Sequence, residues 1–112
     1  MEQLNLIHLG LGHVGRAVMQ MIFKNAKQIK EKHGVELKYC GFFRSSNGYY
    51  YPFGFPFSLS TKYENEGFVT TSLEAIERVP TPFVVIDTTA STETFPLLIQ
   101  ALERGGHVVM SN

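Results

Sequence analysis

The sequence predicts an α/β fold: an open parallel sheet with helices on both faces. Three observations predict it. Short apolar runs alternate along the chain with longer stretches whose apolar residues recur at helical spacing. A glycine cluster, Gly10 to Gly15, joins the first apolar run to the first helical stretch. The whole chain has 112 residues, enough for one small domain over residues 1–112.

Leu4 to Leu9 is an apolar run that stops at the glycines and reads as a buried strand. Val14, Ala17, Val18, Met21, Ile22 and Ile29 then recur at helical spacing, with Arg16, Gln20, Lys24 and Lys27 between them. Lys30, Lys32 and His33 suit the negative end of that helix, and Gly34 suits its C-cap. Val35 to Phe43 predicts a second strand, and Ser45-Ser46-Asn47-Gly48 a turn. Tyr49 to Phe57 is broken by two prolines and a glycine, so it is expected to be an aromatic loop. Its two readings are a cover for a ligand or for a further domain, and packing on its own sheet, the safer of the two. Thr71-Ser72-Leu73-Glu74 has the pattern of a capping box opening a short helix to about Arg78. Phe83 to Ile86 predicts a central parallel strand running into Asp87-Thr88-Thr89. A helix is expected from about Thr94, with Phe95, Leu98, Ile99 and Leu102 on one face and Pro96 in its first turn. Gly105-Gly106 ends it, and Val108-Val109-Met110 begins a last strand.

Composition narrows the function. Hydrophobic residues make up 44% and charged residues 18%, with a formal net charge of zero. That is ordinary for a globular protein and lacks the basic excess of a nucleic-acid binder. Cys40 is the one cysteine, so neither an internal disulfide nor a zinc site of several thiolates can form. His8, His13, His33 and His107 are scattered without metal-ligand spacing; His8 reads as a packed core residue and Cys40 as buried and inert. The N-terminus lacks the pattern of a secretory signal, and no run reaches the roughly 18 apolar residues of a membrane span. A cytoplasmic protein with no membrane partner is the expectation.

Gly10-Leu11-Gly12-His13-Val14-Gly15 matches G-x-G-x-x-G. The pattern acquires meaning because it follows a predicted strand and opens a predicted helix, as in the Rossmann fold. Gly10 permits the tight turn, Gly12 admits a pyrophosphate close to the backbone, and Gly15 lets helix and strand approach. The helix N-terminus offers free N–H groups and partial positive charge. The alternative is a structural turn that binds nothing. At the end of the second strand, where NAD enzymes place an acid for the ribose, stand Arg44-Ser45-Ser46. A guanidinium suits a 2′-phosphate, so NADP is expected over NAD. The hydroxyls of Thr88 and Thr89 are candidates for the ribose or nicotinamide end of that cofactor, or for capping the next helix.

Three segments resemble the N-terminal domain of homoserine dehydrogenase. They are Leu9 to Arg16, Val85-Ile86-Asp87-Thr88-Thr89-Ala90-Ser91, and the run from Ala101 through Gly105-Gly106-His107-Val108-Val109-Met110 to Ser111-Asn112. The resemblance implies an oxidoreductase of amino-acid biosynthesis that converts L-homoserine and NAD(P)+ to L-aspartate 4-semialdehyde and NAD(P)H. It implies that Thr88, Thr89 and Ser111 lie near the nicotinamide or its ribose. The family's lysine after the asparagine and its substrate and dimerisation domain are not in this sequence, so the chain alone is expected to be inactive. Two other readings are a non-catalytic dinucleotide-sensing module and the Rossmann domain of another amino-acid or semialdehyde dehydrogenase. Apolar surface at the last strand and the aromatic loop leads to the expectation of self-association.

Overall fold

Leu6-Ile7-His8-Leu9 alternates nothing: all four side chains are buried, as befits a strand covered on both faces. They belong to β1 (Glu2–Leu9), which runs into α1 (His13–His33) and β2 (Val35–Arg44). There follow β3 (Asn47–Tyr50), β4 (Phe68–Thr71), α2 (Ser72–Arg78), β5 (Phe83–Asp87), α3 (Phe95–Glu103) and β6 (His107–Met110). A 3-10 turn at Thr92–Thr94 precedes α3. The computed structural model describes residues 2–44, 47–55 and 68–111. Among them the sheet order is β4-β3-β2-β1-β5-β6. β1 pairs in parallel with both β2 and β5, and β5 in parallel with β6.

The parallel part and its helices agree with expectation. The antiparallel edge does not. β3 pairs antiparallel with β2, and β4 antiparallel with β3. Asn47 and Gly48, expected in a turn, and Tyr49 and Tyr50, expected in a loop, are therefore strand. The reason lies in the register: Arg44 pairs with Asn47, so β3 returns directly along β2. From Tyr51 to Phe55 the chain is irregular, as its proline and glycine require. It still follows β2, with Tyr51 N–H donating to the Cys40 carbonyl and Phe55 N–H to that of Tyr39. Phe42 meets Tyr49 at 5.5 Å and Phe55 at 5.1 Å between ring centroids. Tyr49, Tyr50 and Phe55 thus pack on their own sheet, while Phe53 is exposed. Phe57 lies outside the described residues.

A register shift between Leu6 and Ile7 leaves Cys40 as an extra residue in β2. The bulge decides which side chains face where. Tyr39 and Phe42 stack on the side of α1, and Phe23 of α1 meets Tyr39 edge-on at 5.2 Å. Cys40 and Phe43 join the opposite core with Ile7, Leu9, Phe83 and Val85, closed by Ala75, Ile76 and Val79 of α2 and Leu98 and Ala101 of α3. Burial raises the Cys40 thiol to about 11, consistent with an inert group.

The helical faces need correction. On α1 the buried residues are Gly15 and Ala26, while Val14 and Met21 are exposed. The expected stripe lies beside the packing face, because close approach of helix to turn selects small residues. On α3 the packing face is Leu98 and Ala101, and Phe95, Ile99 and Leu102 are exposed. That helix is apolar nearly all round, so periodicity alone could not orient it. Pro96 stands in the first turn, as expected.

Candidate functional site

The chain leaves β1 through Gly10, whose φ is +92°. A Cβ there would stand 2.9 Å from the Thr89 backbone nitrogen, so both conformation and space require glycine. Gly15 packs so tightly that a Cβ would lie 1.9 Å from the Gly10 carbonyl oxygen. Gly12 differs from both. Its φ and ψ are −73° and −159°, an ordinary extended conformation, and a Cβ would meet nothing within 4 Å. No side chain caps α1 at Gly12, and its first turn contains no acid. That end of the helix is electrostatically prepared for an anion.

Beside this turn lies a cavity of about 750 Å³, walled by Gly10, Leu11, Gly12, Arg16, Arg44, Thr88 and Thr89, with Ser91 and Glu93 at the segment after β5. It opens beyond the carboxyl ends of β1, β2 and β5, where the chain passes from one side of β1 to the other. Open α/β sheets bind ligands at that position. Arg44 is exposed at the end of β2. Arg16 was not singled out in the sequence. It sits one residue beyond the glycine pattern, its Nε donates to the Leu11 carbonyl at 3.2 Å, and it brings a second guanidinium to the cavity. Its place after Gly15 was the available signal.

Other expected residues fall elsewhere. His13 and Val14 are exposed on the first turn of α1, away from the cavity wall. Ser111 is exposed, and its N–H continues the β6 ladder to the Asp87 carbonyl at 3.0 Å. Ser45 lies outside the described residues. Thr88 and Thr89 line the cavity, but their hydroxyls are engaged within the protein. Thr89 donates to Asp87 Oδ1 at 2.6 Å, and Thr94 donates to Asp87 Oδ2 at 2.7 Å. Asp87 is buried and organises the loop by accepting these bonds and the Thr89 N–H. Ala90 in that loop has φ +57°, a left-handed conformation that such local bonds help to hold. The cap of the turn before α3 is Ser91, which accepts from Glu93 N–H at 3.1 Å.

His8 is fully buried behind the turn. Its Nδ1 lies 2.6 Å from the Tyr39 hydroxyl and its Nε2 3.0 Å from Thr88 Oγ1. Burial lowers its pKa to about 4, against a smaller opposing effect of Asp87. The unfolded chain therefore takes up a proton near pH 6.5 that the folded chain refuses until about pH 4. Stability from this group is full above pH 6.5 and is lost as pH falls towards 4. The expected loss between pH 7 and pH 4.5 is about 2–3 kcal/mol. Urea unfolding at both pH values should show it, and His8→Gln should flatten the difference; an equal difference in that variant contradicts the assignment to His8.

No protein-family model and no curated protein sequence matches this chain, but solved structures do. The S. aureus homoserine dehydrogenase at pH 6.0 superposes with a TM-score of 0.74 at 20% identity. A protein assigned as a homoserine dehydrogenase from Archaeoglobus fulgidus does so at 0.73 and 23%. The fold is theirs. Each superposition covers 100% of this chain, but only 26% of the S. aureus chain and 34% of the A. fulgidus chain. The present sequence thus spans about a quarter to a third of the length of these two solved chains. Among its described residues no helix is long and apolar enough to cross a membrane.

Proposed function

We propose that this chain is the dinucleotide-binding unit of an oxidoreductase of the homoserine dehydrogenase kind, with NADP as its preferred ligand. The observation that carries this reading is Gly12. Neither its backbone angles nor its neighbours demand glycine, yet it faces the mouth of a cavity at an uncapped helix N-terminus. Free space over such a backbone fits a pyrophosphate. The residues present suit the remainder of the ligand. Arg44, assisted by Ser45, would grip the 2′-phosphate, with Arg16 as a second cation nearby. Thr88 and Thr89 would line the path towards the nicotinamide. When bound, the cofactor supplies hydride transfer; the chain supplies its binding and orientation.

Calorimetric titration with NADPH and with NADH tests the reading. NADPH is expected to bind more tightly, and Arg44→Ala to remove the difference at a loss of roughly tenfold or more in NADPH affinity. Equal affinity of the native chain for both cofactors refutes the NADP preference. A folded chain that binds neither refutes the site. Because hydride transfer needs substrate held against the nicotinamide, the purified chain is expected to form no NADPH from L-homoserine and NADP; measurable turnover would overturn that part.

A further inference from the structure

The donor and acceptor capacities behind the turn permit one consistent arrangement. Thr88 Oγ1 lies 2.7 Å from the Gly10 carbonyl and 3.0 Å from that of Leu9. Both are acceptors only, so the single Thr88 proton is directed to them. Its oxygen must then accept from His8, which places a proton on Nε2 and leaves Nδ1 to accept from Tyr39. Hydrogen bonds therefore run one way, from the Tyr39 hydroxyl through His8 and Thr88 to the carbonyl of the first glycine. Tyr39 and His8 are absent from the wall of the cavity. Tyr39 belongs to β2, on the side covered by α1. The chain of bonds thus links β2, β1 and the residue that follows β5 to the position of the turn.

We propose that Tyr39, His8 and Thr88 are positioning residues that hold the glycine turn in its ligand-binding geometry. The inference rests on the dinucleotide reading for its effect on affinity, but not for its effect on the turn itself. Gly10 in its left-handed conformation has few side-chain constraints of its own. A fixed carbonyl there fixes the path of Leu11 and Gly12 and the aim of the N–H groups that follow. A relay that acts through a neutral imidazole also explains why the site tolerates a buried histidine instead of an apolar residue.

The test uses near-isosteric variants. Tyr39→Phe keeps the ring and removes the first donor; Thr88→Ala removes the last, and Thr88→Ser restores it. NADPH affinity should fall about fivefold in Tyr39→Phe, a remote site, and about tenfold in Thr88→Ala, with Thr88→Ser near wild type. Amide hydrogen exchange should accelerate from residues 10 to 15 in the same order, while the α2 amides keep their protection. The double variant Tyr39→Phe/Thr88→Ala should be less impaired than the sum of the singles. Nitrogen NMR should find His8 protonated at Nε2. Unchanged exchange at the turn in both single variants, or additive effects in the double, overturns the relay. If the native chain binds no dinucleotide, the proposed function falls, and the exchange measurement alone decides the relay.

Discussion

Gly15→Ala is expected to destabilise the chain by roughly 3 kcal/mol or more, a fall of roughly 10–20 °C in melting temperature. The methyl group would lie 1.9 Å from the Gly10 oxygen, 2.8 Å from the Gly10 carbonyl carbon and 2.8 Å from Thr88 Oγ1. Two of these are backbone atoms and the third is held by the hydrogen bonds of the turn. None can rotate away. Relief requires α1 to withdraw from the turn, which separates it from the sheet along the face that carries Phe23 and Ala26. Alanine's better helix propensity, about 1 kcal/mol, offsets only part of this. Thermal unfolding decides the matter, and a melting temperature within about 2 °C of wild type would falsify the packing argument.

Gly12→Ala separates function from folding. Its methyl group enters open space, so stability should change by less than about 1 kcal/mol, the N-cap preference of glycine over alanine. Dinucleotide affinity should fall by roughly a hundredfold, because the methyl occupies the approach of a pyrophosphate and displaces it from the helix N–H groups. Melting and titration of the same sample provide both numbers. Intact stability with lost binding supports the site. Intact stability with intact binding moves the ligand away from the turn and removes the main support for the proposed function.

The parallel centre of the sheet was legible because its signals are local: an apolar run, glycines, then helical spacing. β3 and β4 were not. Each has four residues, and their pairing joins Asn47 to Thr71 across a long stretch of chain, a contact that no short window contains. The bulge at Cys40 was equally hidden, since an extra residue in a strand leaves Tyr-Cys-Gly-Phe looking like ordinary alternation. In the site, the tight turn at Gly10, the close approach at Gly15 and the place of Arg44 beside the cavity followed from spacing. The inward turn of the Thr88 and Thr89 hydroxyls did not, because it depends on where His8 and Asp87 lie in three dimensions. His8 reads as a core residue and is buried, but the approach of its polar atoms to the turn depends on contacts with residues distant in sequence.

The strand order carries a consequence for synthesis. β1 is an inner strand of the parallel sheet, and its second neighbour begins at Phe83. On a ribosome, β1, α1 and β2 can associate once Arg44 has emerged, well before β5 exists. During that interval, on the order of seconds at cellular translation rates, one edge of β1 offers unpaired N–H and C=O groups. Ile7 and Leu9 await α2 and α3, and the Asn5 amide awaits the carbonyls of Pro80 and Pro82 to which it finally donates. A nascent chain in that state exposes an adhesive strand edge beside an apolar face. β1 is enclosed only when residues of the distant β5 arrive, so the vulnerable period of this sheet is set by its topology and the pace of translation.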